Sequence, residues 1–149
     1  MIENIIKEKI SADHLLYVSL KYTKTCDVIL NLLKRWVIMI NHCVDGLLEQ
    51  QKKKKKIKAI PEAPRQKIEL VKQQFKNQPE VMNAIRIYEF FKRIDDTKAI
   101  KECEFRKDVR LRINDAGKEI IINLDQLKEY SLILESFISY VKQFLLSPK

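Results

Sequence analysis

A mostly α-helical, single-domain fold is what this chain predicts, and three observations predict it. It holds only two glycines and four prolines in 149 residues, too few turn-formers for a sandwich or a barrel. Apolar residues recur at spacings of three and four along most of its length, the rhythm of amphipathic helices. Hydrophobic residues make up 46%, which suits one packed core rather than a disordered polymer. The expectation is one compact bundle of about five helices over residues 1–149, with a short β-hairpin near 109–122.

Each element has its own signal. From Leu15 to Leu47 the stripe Leu15, Val18, Tyr22, Cys26, Ile29, Leu33, Trp36, Ile40, Cys43 and Leu47 runs without a proline. With Asp13 as its N-cap, it reads as one helix of about 35 residues and ~50 Å, running through the core. A basic loop at 51–63 follows. Pro64 suits a first helical position and opens a short basic helix to Lys76, with Ile68, Val71 and Phe75 on one side. Pro79 opens the next, carrying Val81, Ile85, Tyr88 and Phe91, and Asp95 and Asp96 end it. Thr97 is placed to cap a short helix through Lys107. The period then changes to two: Val109, Leu111 and Ile113 alternate with charged residues, and Asn114 to Gly117 is a turn before Ile120, Ile121 and Ile122, which is a hairpin pattern. Asn123, with Gln126 three residues on, caps a last helix whose stripe is Leu127, Tyr130, Leu134, Phe137, Val141 and Phe144.

Charge is the loudest functional signal. Lys52, Lys53, Lys54, Lys55, Lys56, Lys58, Arg65, Lys67, Lys72 and Lys76 face only Glu62 and Glu69 between 51 and 78, a net of +8 out of the chain's +9. Such a local run can track nucleic-acid phosphates, or it can be a solvated loop whose like charges repel. Arg106, Arg110 and Arg112 by the hairpin are forks for phosphate or the charges that keep a sheet edge soluble.

Other classes are disfavoured. Cys26, Cys43 and Cys103 are odd in number and far apart, which indicates buried thiols rather than a zinc site or a disulfide framework. The N-terminus mixes charges where a signal peptide has an apolar run, and the longest apolar run, Trp36 to Ile40, is far too short for a membrane span. A cytoplasmic protein is expected. Two glycines leave no glycine-rich phosphate loop. Arg35 and His42 lie on one side of the long helix with six residues between them, a spacing that resembles the arginine–histidine pair of HEPN ribonucleases. Here apolar Trp36 follows the arginine and the pair sits in the first long helix, so a core histidine beside a snorkelling arginine is the favoured reading.

The carboxylates carry a second resemblance. Glu102-Cys-Glu104-Phe-Arg-Lys-Asp108-Val109 is similar to the ribonuclease III signature, Glu-Phe-x-x-Asp-x-Val on a helix. The resemblance implies a ribonuclease III domain-like bundle without a separate double-stranded-RNA-binding domain. It further implies a homodimer and an endoribonuclease cutting double-stranded RNA with Mg²⁺ or Mn²⁺. Glu104 and Asp108 would be catalytic metal ligands, with Asp125 and Glu129 completing the set; such oxygen ligands suit a hard divalent ion that activates water. Lys101 stands where that family has a glutamate and Lys107 where it has a glycine. The alternative is a helical RNA-binding or protein-interaction scaffold without chemistry.

Overall fold

The structure, a computed structural model, describes residues 2–147. It is mostly helical, with one three-stranded antiparallel sheet of order β1-β2-β3. Helix α1 (Ile2–His14) passes without a break through a π-helical turn (Leu15–Ser19) into α2 (Leu20–Tyr22). Then come α3 (Cys26–Lys53), α4 (Pro64–Gln74), α5 (Pro79–Arg93), β1 (Ile100–Glu102), β2 (Arg110–Asp115), β3 (Lys118–Ile122) and α6 (Leu124–Leu146).

The expected single helix from Leu15 to Leu47 is two. Thr23 (φ −132°, ψ 91°) and Thr25 (φ −117°, ψ 154°) are extended, and the Thr25 hydroxyl accepts from the Val28 backbone N–H. Two β-branched threonines, one of them a good N-cap, stop one helix and start the next. Asp13 is no cap; it lies inside the first rod and pairs with Lys9 at 2.6 Å. Val18 and Tyr22 face outward.

Helix α3 forms the axis of the core. Trp36 stacks on Phe91 of α5 (centroids 6.0 Å) and meets Tyr130 of α6 edge-on (6.5 Å), and Phe91 and Tyr130 close the triangle at 5.2 Å. Offset and edge-on rings add to the large area such side chains bury. Phe75, just after α4, packs edge-on against Phe144 at 5.2 Å. Asn123 caps α6 as expected, accepting from the Gln126 N–H at 2.8 Å.

The expected helix from Thr97 to Lys107 is absent. The Asp95 carboxylate accepts from the Thr97 N–H (3.0 Å) and hydroxyl (2.7 Å), a local turn that competes with helix. Cys103 (φ 56°) and Phe105 (φ 66°) are left-handed, which no α-helix tolerates. Ile100–Glu102 instead forms β1 against Arg110–Arg112. The hairpin is as anticipated: Leu111 pairs with Ile122 and Ile113 with Ile120. Positive φ at both Ala116 and Gly117 marks a two-residue type I′ turn.

Candidate nucleic-acid interface

The basic segment is built, not loose. Helix α3 runs on to Lys53, two residues past the expected start of the loop. It ends in a reciprocal cap: Lys56 N–H donates to Gln51 C=O (2.9 Å) and Lys55 N–H to Lys52 C=O (3.0 Å). That is a Schellman motif, which needs a left-handed residue, and Lys55 supplies it at φ 62°. Gln51 is buried and donates to Gln74 on α4 at 2.9 Å. Ile57 and Ile60 pack on the core. The lysines between these anchors therefore form a ledge held from both ends.

Most of the ledge's charge is unopposed. Lys52, Lys53, Lys55, Lys56, Lys58, Arg65 and Lys76 are exposed, and none has an acidic partner among the described residues. Lys54 sits over the Phe144 ring at 4.1 Å. Lys67 pairs with Asp45 (2.8 Å), and Lys72 with Glu89 (2.7 Å) and Glu69 (3.2 Å). Glu89 and then Glu69 hold the Lys72 ammonium above its ordinary pKa. A groove of about 750 Å³ between α4 and α5 begins at Pro64 and Arg65 and includes Tyr88 and Lys92.

The sheet face behaves differently. Arg110 Nε and Arg112 Nη2 both donate to Glu102 Oε1 at 3.0 Å, and Arg112 also pairs with Glu119. Glu102 is held below the ordinary glutamate range by Arg110 first and Arg112 second. Both arginines are thus engaged across the three strands, while Arg106 is exposed without an ion pair among the described residues. Nothing in the sequence pattern singled out Glu102, because only the register of β1 on β2 brings it beside both arginines.

The carboxylates do not gather. Glu104 and Asp108 share no helix face, since they lie in turns. Glu104 Oε1 accepts from the Cys26 N–H at 3.2 Å, and the Phe105 N–H donates to Lys24 C=O at 2.6 Å, so this segment buckles the sheet to the start of α3. Asp108 is exposed. Asp125 and Glu129 are one turn apart on α6 and exposed. Among the described residues no group of three or more His, Cys, Asp or Glu side chains could hold a metal ion.

Elsewhere, polar side chains tie neighbouring elements together. Arg35 reaches back to Glu8 on α1 at 3.2 Å. The Cys26 thiol donates to Arg110 C=O at 3.2 Å, and burial pushes its pKa up to about 11. Burial pushes Cys43 up to about 12, so neither thiol is ionised near neutral pH. No helix of the described residues is long and apolar enough to cross a membrane.

The chain matches no protein-family model, and no curated protein or solved structure resembles it significantly.

Proposed function

We propose that this protein binds the phosphate backbone of double-stranded RNA through its basic ledge, without cutting it. One observation carries the reading: seven exposed cations on an anchored segment have no acidic partner among the described residues. Unopposed positive charge at that density attracts a polyanion and releases its counterions. Between residues 52 and 76 the one aromatic, Phe75, is buried. A surface without exposed rings lacks the stacking platforms used for single strands. That favours a duplex, recognised by its backbone and shape rather than its sequence. RNA rather than DNA rests on the short ribonuclease III resemblance alone, since the helix it implies is absent, and the test below compares the two duplexes directly. The reading without cutting is supported by the carboxylates: Glu104 accepts from the Cys26 N–H at the start of α3, and Asp108 is exposed in a turn.

Filter retention of labelled RNA duplex, RNA single strand and DNA duplex tests this, with EDTA or Mg²⁺ and salt raised from about 50 to 200 mM. The expected result is retention of intact RNA duplex, unaffected by EDTA and falling steeply with salt. No retention would leave the lysines as solubilising charge. Mg²⁺-dependent cutting lost in Glu104→Ala would replace binding with catalysis.

A further inference from the structure

The groove between α4 and α5 has two ends of opposite character. Arg65 at the start of α4 and Lys92 near the end of α5 line one end, and Glu69 and Glu89 line it about one helical turn further in. Ile68 and Tyr88, both buried, lie between them. A volume of about 750 Å³ is in the range of sites that hold a small ligand.

Pairing within the fold sharpens the contrast. Glu69 and Glu89 share one cation, Lys72, at 3.2 and 2.7 Å. Two carboxylates against one ammonium leave the inner end net negative. Arg93, which also lines the groove, is held by Asp115 through bonds of 2.9 and 3.0 Å. Asp96, just past α5, pairs with Lys34 at 2.9 Å. Arg65 and Lys92 are left exposed, and neither forms an ion pair among the described residues. The outer end is therefore positive.

That gradient identifies the ligand. A phosphate is attracted to the end that holds Arg65 and Lys92, and a second phosphate further in would meet Glu69 and Glu89. A strand that runs through the groove is disfavoured, and a strand that stops at its mouth is favoured. A terminal phosphate monoester carries a charge of about −1.5 to −2 near neutral pH, more than a backbone diester, and so suits two cations supplied by separate helices. Arg65 is also one of the ledge's free cations, so a strand tracked by Lys52 to Lys58 is led to this end. We infer that the mouth of the groove is a site for the terminal phosphate of an RNA strand, held by Arg65 and Lys92. The inference rests on duplex RNA binding by the ledge and adds to it a preference for phosphorylated ends.

Filter retention of blunt RNA duplexes of one sequence tests this, with a 5′-phosphate, with a 3′-phosphate, or with hydroxyls at every end. A phosphorylated duplex should bind about tenfold tighter than the hydroxyl duplex, and the arm that does so assigns the end. Lys92→Gln should bring that ratio to about one, and Lys92→Arg should keep it. The ratio isolates the site, because a general loss of positive charge weakens all the duplexes alike. Lys92 is exposed, so the circular dichroism spectrum should not change. Equal retention of all the duplexes would overturn the inference and leave the ledge as the RNA contact. Retention of none would remove the ledge contact and this inference with it. A preference that survives Lys92→Gln would overturn the site, and one erased by micromolar adenosine 5′-monophosphate would overturn the strand end as its ligand in favour of a free nucleotide.

Discussion

Arg112 in β2 is held between Glu102 and Glu119, while Lys52, Lys53, Lys55, Lys56 and Lys58, close together in sequence, have no acid among the described residues to hold them. Sheet and ledge are both rich in cations, yet one uses its charge within the fold and the other leaves it to solvent. The difference lies in what the backbone brings near. Antiparallel pairing of three strands sets Glu102 beside Arg110 and within reach of Arg112. The capped end of α3 offers no such neighbour and presents its lysines outward. A count of basic residues cannot separate these cases, whereas the placement of acids can.

The largest expected effect is on the ledge. Replacing those five lysines together by Gln should weaken duplex RNA binding by about a hundredfold or more, read by filter retention, with thermal unfolding unchanged or slightly improved because like charges are relieved. A smaller effect should come from the sheet, and it would break the contrast. Glu102→Gln releases Arg110 and leaves Arg112 held by Glu119 alone, so RNA affinity should rise by about threefold and the salt dependence should steepen. An unchanged affinity would mean that the sheet face lies outside the contact.

Acidity sharpens the same contrast. The Glu102 carboxyl is depressed by its two arginines, so its contribution to stability is present above the ordinary glutamate pKa and is lost as pH falls through the lower folded value. The unfolding midpoint of wild type should therefore fall on acidification more than that of Glu102→Gln. Equal slopes would show that the ion pairs are too exposed to matter. The smallest effect concerns backbone: Lys55 and Ala116 each sit at positive φ. Lys55→Gly and Ala116→Gly should each stabilise by up to about 1 kcal/mol in urea unfolding, and only Lys55→Gly should also cost some RNA affinity.

Much of the fold could be read from sequence. Pro64 and Pro79 open helices where their fixed φ and missing N–H are harmless, Asn123 caps the last one, and alternation marks the hairpin. The break at Thr23–Thr25 was hidden because the apolar rhythm continues across it from Val18 and Tyr22 to Cys26 and Ile29. The first rod was missed because Ile2 to Lys9 mixes charges with isoleucines that serve two faces, Ile5 inward and Ile6 outward. Thr97 looked like a helix cap, but its partner is Asp95 behind it rather than an N–H ahead. Of the candidate site, the density of lysine was legible and its freedom from acids was not. The carboxylate spacing of Glu104 and Asp108 was legible too, but it implied a helix that left-handed Cys103 and Phe105 forbid.

The most direct test is the salt dependence of RNA duplex affinity for wild type, the five-lysine variant and Arg110→Gln/Arg112→Gln, measured side by side. If each of the seven free cations meets a phosphate, the wild-type log–log slope should approach about −6, and the five-lysine variant should fall to about −2. The arginine variant should keep the wild-type slope. A slope that flattens with loss of the arginines but not of the lysines would place the contact on the sheet and contradict the account.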